Sequence, residues 1–128
     1  MQKLCVLVAE DNDTQRELFT LLLEMEGFEV KSVANGKEAL SELQAKLPDL
    51  ILTDIAMPVM DGLELVKQVK SKTELANVPI VVMTAFEKGY LTWAWAAGAN
   101  GILAKPFEPE DLYTEIFRLL PKSIGHEC

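Results

Sequence analysis

Polar groups capable of chemistry fall just past four apolar runs: Glu10-Asp11 after LCVLVA, Asp54 after LILT, Thr84 after IVVM, and Lys105 after GILA. A carboxylate ending such a run either caps a helix or does chemistry, and Asp11 taken alone also reads as a helix N-cap. Three carboxylates gathered in one cleft are harder to explain that way. Their mutual repulsion destabilises the site unless a cation neutralises it. Hard oxygen ligands from few side chains, with room left for water and a phosphate oxygen, suit Mg²⁺. One lysine nearby balances the remaining negative charge. Such a set serves phosphoryl transfer, in which positioning and charge neutralisation carry most of the catalysis and a carboxylate can be the nucleophile.

These groups act together only if the chain brings four strand ends to one edge. The strand candidates are Leu4–Ala9, Glu29–Val33, Leu50–Thr53, Ile80–Met83 and Gly101–Ala104, alternating with five longer amphipathic stretches. Strands alternating with helices predict a parallel α/β sheet. Leu18, Leu21, Leu22 and Met25 mark the expected core face of the first helix, and Leu112, Ile116, Leu119 and Leu120 that of the last. Asn35 and Glu38 have capping-box spacing, and Glu108-Pro109-Glu110-Asp111 places proline and acids in a first helical turn.

Runs one, three and four are almost purely apolar, as strands buried on both faces should be, whereas Lys31 and Ser32 in run two and the glycine opening run five suggest edges. In open α/β sheets, ligands bind beyond the carboxyl ends of the strands, near the switch in strand order. The second run ends in Asn35-Gly36, without a comparable polar group. Convergence of the other four ends requires strands one, three, four and five to be neighbours, with strand two outside them.

At 128 residues, 49% hydrophobic and 25% charged, the sequence reads as one soluble domain of common size, expected over residues 1–121 with a short tail at 122–128. The net charge of −8 and the absence of a basic patch exclude a nucleic-acid surface. There is no apolar span long enough for a membrane helix, and no signal-peptide pattern at the amino terminus. Cys5 and Cys128 have no metal-site or disulfide spacing, so a reducing, cytoplasmic location is expected.

The combination of Glu10-Asp11, Asp54 in DIAMPVMDG, Thr84-Ala85, AGA at 97–99 and Lys105-Pro106-Phe107 resembles the receiver domain of two-component response regulators, over Leu4 to about Leu120. The resemblance implies a flavodoxin-like, doubly wound five-stranded parallel sheet in the order 2-1-3-4-5 with five helices. It implies that Asp54 accepts a phosphoryl group from a histidine kinase or a histidine phosphotransfer protein. Glu10, Asp11 and Asp54, with the Ala56 carbonyl, would hold Mg²⁺; Thr84 would bond one phosphoryl oxygen and Lys105 pair with another. Lys105-Pro106 resembles the family's cis peptide, which would aim the lysine inward. Asp61 reads as a loop or capping acid.

The sequence departs from the family in several places. Glu10 stands where aspartate is commoner, and its extra methylene could bring it to the metal through water. Ile102 stands where the family carries an aromatic that swings inward; a β-branched aliphatic has a stiff χ1 and no ring to relocate. The loop from Thr84 to Lys105 is one residue shorter than usual and carries Trp93-Ala94-Trp95. With Leu91, Ala94 and Gly98 facing the core, Trp95 is expected to pack along the edge and Trp93 to point outward as a candidate partner anchor. Phe86, two residues past Thr84, could crowd the site. His126 has no assigned role.

The leading expectation is a phosphorylation-controlled signalling switch, and the family resemblance implies an output face formed by the fourth helix, fifth strand and fifth helix. A turnover phosphatase is disfavoured, because the second acid such enzymes place two residues after the nucleophile is Ala56 here. The alternative is a receiver-like adaptor that binds protein without being phosphorylated. With only PKSIGHEC after Leu120, the chain reads as a single-domain regulator or a receiver excised from a longer protein; Met1 favours the former.

Overall fold

In the computed structural model the described residues are 3–85 and 88–120, with the backbone alone over 88–91. The elements alternate strictly: β1 Cys5–Ala9, α1 Asp13–Met25, β2 Glu29–Val33, α2 Gly36–Ala45, β3 Leu50–Asp54, α3 Gly62–Ser71, β4 Ile80–Ala85, α4 Lys88–Ala97, β5 Gly101–Lys105 and α5 Pro109–Leu119. All strand pairings are parallel, and the sheet order is β2-β1-β3-β4-β5. The expected edges are the observed edges. Strand β3 is buried at every position, while β2 alternates between exposed and covered residues.

Side-chain alternation along the strands divides the core into two layers. Val6, Val8, Leu50, Leu52, Val81 and Met83 pack with Phe19, Leu23, Leu112 and Ile116, which puts α1 and α5 on one face. Leu7, Ile51, Ile80 and Val82 pack with Leu43, Leu65, Val66 and Ala94, which puts α2, α3 and α4 on the other. Strands β3, β4 and β5 run one or two residues further than their apolar runs. Asp54, Thr84 and Lys105 are therefore the last or next-to-last residues of their strands, still in the ladder.

Two expectations from periodicity are corrected. In α1 the core residues are Phe19 and Leu23, whereas Leu18, Leu21 and Met25 are exposed, at 48%, 54% and 70%. In α4, Trp95 is as exposed as Trp93, at 53% against 58%. The helix buries Ala94, and residues one position to either side of it lie about 100° away in opposite directions. Both indoles thus flank a narrow buried line. Leu91 and Phe86 lie outside the described side chains, as do residues 121–128.

The caps largely follow the sequence. Asn35 accepts from the Glu38 N–H at 2.9 Å, but Glu38 reaches back to the Ala34 N–H rather than to that of Asn35. The Glu108 N–H donates to Asp111, and Pro109 opens α5. Asp61 caps α3 by accepting from the Glu64 N–H, as its reading as a capping acid implied.

The β3–α3 connection is tight because the chain turns back onto the end of β3. Gly62 donates its N–H to the Ile55 carbonyl, and a Cβ at Gly62 would lie 2.1 Å from the Asp54 carbonyl oxygen. That oxygen belongs to a buried strand and cannot withdraw cheaply. Gly62→Ala is expected to lower the unfolding free energy by about 3 kcal/mol, the upper range for overpacking, as measured by urea titration. A loss below about 1 kcal/mol would show that the connection relaxes instead.

Candidate functional site

The register of four neighbouring strands sets the site. Ala9 pairs with Thr53, Asp54 with Met83, and Ala85 with Lys105. Glu10 directly follows β1. Its side chain and those of Asp54 and Lys105 point to the α1/α5 side of the rim. Lys105 Nζ lies 3.0 Å from Glu10 Oε1 and 3.1 Å from Asp54 Oδ2, joining residues 95 and 51 positions apart. The Lys105–Pro106 bond is cis, as the family resemblance implied.

Each acid is also held by backbone. Asp54 Oδ1 accepts from the Ile55 N–H at 2.8 Å, and Glu10 Oε2 accepts from the Asn12 N–H at 3.1 Å. Glu10 is 1% exposed and Asp54 8%, whereas Asp11 faces solvent. Burial pushes the Glu10 carboxyl above the usual carboxylate range; the hydrogen bonds from Lys105 and Asn12 oppose the rise, and the Asp54 charge adds to it. Arg16 fixes the same strand end by donating to the Glu10 carbonyl at 2.8 Å.

Asp11 is not the N-cap of α1. Asn12 holds that position, accepting from the Gln15 N–H at 2.9 Å. Glu10, Asp11 and Asp54 each offer one carboxylate oxygen within 4.8 Å of the others. Three hard anionic oxygens, one on an exposed side chain open to water, fit Mg²⁺ better than a softer metal. Ala56 lines an open hollow beside Asp11, together with Asp61. Both Glu10 oxygens have protein partners, Lys105 Nζ on Oε1 and the Asn12 N–H on Oε2.

Thr84 is 3% exposed and has the opposite side-chain parity to Asp54. Its hydroxyl donates to the Ala85 carbonyl at 2.9 Å, so it is not bonded to the acids or to the lysine. Ile102 is half-buried against the α2/α3/α4 layer, packed as an ordinary strand residue. Gln15 is a site residue that the sequence reading did not identify: its Oε1 accepts from Lys105 Nζ at 2.8 Å. Only its place in the first turn after the acid pair offered a signal.

The raised Glu10 carboxyl carries a pH consequence. A folded-state value above the unfolded one means that the native protein binds the extra proton, so this group's contribution falls as pH rises through the elevated range. Without divalent cation, Glu10→Gln is therefore expected to stabilise the protein at neutral pH. The gain should shrink as pH is lowered toward the ordinary carboxylate range. Denaturant titrations of both proteins across that range check this; a gain that grows on acidification contradicts it.

The family model for the response regulator receiver domain matches residues 6–117. The chain is 38% identical over 102 residues to the polar-differentiation response regulator DivK of Brucella anthropi, covering 79% of this chain and 83% of that protein. It is similar to the chemotaxis response regulator CheY4 of Vibrio cholerae, with a TM-score of 0.87 and 35% identity over 93% of this chain and 100% of that one. It is also similar to the receiver domain of the Pseudomonas aeruginosa sensor histidine kinase PA1611, with a TM-score of 0.86 and 29% identity over 92% of this chain and 98% of that one. In that structure a magnesium ion is coordinated in the active-site cleft.

Proposed function

Since this chain belongs to the response regulator receiver domain family of two-component signalling, we propose that Asp54 is its phosphoacceptor and that phosphorylation switches a protein-binding surface. The observation that carries this reading is the meeting of Glu10, Asp54 and Lys105 within hydrogen-bonding distance at the rim. A phosphohistidine of a histidine kinase or phosphotransfer protein is the donor. An Asp54 carboxylate oxygen forms the new O–P bond as the P–N bond breaks, and the imidazole leaves with that electron pair.

The chain's own groups prepare this transfer. The Ile55 N–H fixes one Asp54 oxygen, which orients the carboxylate before the donor arrives. The cation set is Glu10, Asp11 and Asp54, with the Ala56 carbonyl at the adjoining hollow. When bound there, Mg²⁺ neutralises charge between the carboxylates and the transferring phosphoryl oxygens. Lys105 supplies a second positive charge to a phosphoryl oxygen. Thr84, whose proton now goes to the Ala85 carbonyl, must turn its hydroxyl to reach another. That rotation is the local event that would bias β4 and the start of α4 between two states.

The face we assign to the downstream protein is the one formed by α4, β5 and α5. A groove there is bordered by Ile102, Ala104, Phe107, Asp111 and Glu115, and Trp93 and Trp95 stand exposed on α4. No described helix is long and apolar enough to cross a membrane, which accords with a water-borne switch acting in the cytoplasm. The role is that of a switch that modifies itself once per signal, not a turnover enzyme. A receiver-like adaptor that never takes phosphate is the alternative; it accounts for the Glu10–Lys105–Asp54 joint, but not for the exposed Asp11 carboxylate set within 4.8 Å of the other two.

Incubation with Mg²⁺ and a small phosphodonor, followed by intact mass measurement, decides between them. One phosphoryl increment is expected for the native protein and none for Asp54→Asn. No increment from any donor, or an equal one in the variant, rules out phosphorylation at Asp54. For the output face, Trp93→Ala is expected to weaken binding of the downstream protein by about tenfold, with an unfolding free energy within about 0.5 kcal/mol of native. Unchanged binding would remove Trp93 from that interface.

A further inference from the structure

Lys105 is held from two sides of different chemistry. Its ammonium has three protons to donate. Two go to carboxylates, at 3.0 Å to Glu10 and 3.1 Å to Asp54, and the shortest contact, 2.8 Å, goes to the neutral amide oxygen of Gln15. One helical turn further along α1, the Phe19 ring lies 5.9 Å from the same nitrogen. Phe107, two residues past Lys105, stacks on that ring with centroids 5.6 Å apart. Gln15 and Phe19 are four apart in α1 and so share a face. The helix offers the lysine a cradle separate from the acids.

The two sides differ when the site is in use. A carboxylate that ligates a cation, or that carries a phosphoryl group, has less charge to offer an ammonium. The amide oxygen and the ring face keep what they have. A fourth carboxylate, at position 15, would add to the repulsion already present at the rim; an amide accepts the proton without that cost.

We propose that Gln15, with Phe19 beneath, is a positioning residue that keeps the Lys105 ammonium at the rim when Glu10 and Asp54 turn toward a cation and the incoming phosphoryl group. The proposal rests on the reading of Asp54 as the phosphoacceptor. The lysine does not then need to be recaptured from solvent, because one of its three anchors is never given up. The Phe19 ring face, 5.9 Å from the ammonium, favours a short movement between acceptors over escape to solvent.

Gln15→Met keeps the side-chain length and removes the acceptor. The residue is half-buried in the first turn, and its backbone bond to the Asn12 cap is untouched, so the fold is not at risk. At saturating Mg²⁺, the rate of Asp54 phosphorylation by a small donor is expected to fall about tenfold, the scale of a hydrogen bond to a charged group. The thermal midpoint and the Mg²⁺ concentration for half-maximal rate should stay near native values. A merely structural role would move both, since Glu10 and Asp11 directly precede α1.

A second readout needs no phosphorylation. In the Mg²⁺-loaded protein, the Lys105 ammonium signal in ¹⁵N NMR, assigned by its loss in Lys105→Arg, should be visible in the native chain. In Gln15→Met it should broaden through faster proton exchange. Survival of a native-like signal in that variant overturns the proposal whatever the rate does, and so does a rate loss matched by shifts in midpoint and Mg²⁺ dependence. If the native protein takes no phosphoryl group, the parent reading fails, and the ammonium signal alone still decides whether Gln15 holds the lysine.

Discussion

The Lys105 ammonium between the Glu10 and Asp54 carboxylates is the contact on which the rim depends. Carboxylate oxygens of Glu10, Asp11 and Asp54 approach within 4.8 Å of one another, and unit charges at that separation repel by about 3.5 kcal/mol at an effective dielectric of about 20. Glu10 has almost no access to water, so solvent does little to relieve the repulsion. The lysine does most of it, with two backbone N–H groups. Replacing Lys105 by a neutral side chain would leave the Glu10 and Asp54 carboxylates uncompensated, which typically destabilises by about 3–5 kcal/mol. The charged rim is therefore also a structural joint between β1, β3 and β5.

That joint is affordable only because the sheet around it is rigid. Two strands, β3 and β4, lie between β1 and β5 in the sheet, and the parallel registers across them bring the two residues into contact. The side-chain period of a strand is two, so a slip of one residue in β5 would turn Lys105 to the α2/α3/α4 side and leave both acids unpaired. Continuous burial of β3 and β4 resists such slippage, since a slip would also drive Leu103 out of its layer. At the opposite end of the strands, Lys70 spends its donors on the Ala76 and Val78 carbonyls and the Asn100 side chain, and Asn100 also accepts from the Ile80 N–H. Burial pulls the Lys70 amine below its usual value. The base of β4 and β5 is thus tied down while the rim keeps its movable contacts.

The edge strands and the meeting of Glu10 and Asp54 with Lys105 were legible because both follow from polarity, while the full order 2-1-3-4-5 came from the family resemblance. Strands buried on two faces are apolar throughout, and a charge ending such a strand has one edge to occupy. Less legible were details fixed by partners distant in sequence. Thr84 lies at the rim as expected, yet its hydroxyl faces the Ala85 carbonyl, a choice that spacing cannot reveal. Val59 adopts a φ of 69° in the loop after Asp54, an unfavourable conformation for a β-branched residue that the neighbouring Pro58–Met60 backbone bond imposes. Tight approach of Gly62 to the Asp54 carbonyl belongs to the same turn. In α4, the rule that residues two apart occupy different faces was sound; with only alanine at the centre of the buried line, both faces beside it are solvent.

Helix α1 misled for a reason that is itself functional. Summed over the whole helix, its apolar residues recur at Leu18, Leu21, Leu22 and Met25, a regular stripe that faces largely outward. The inward face begins instead with Gln15 and Arg16, which are polar because they meet the Lys105 ammonium and the Glu10 carbonyl, and turns apolar only at Phe19 and Leu23. A helix that borders a charged rim must change character along its inward face, polar near the site and apolar away from it. Periodicity assumes one character per face and so assigns the core to the wrong side. The failure of the pattern in the first turn of α1 therefore marks the stretch of helix that serves the site.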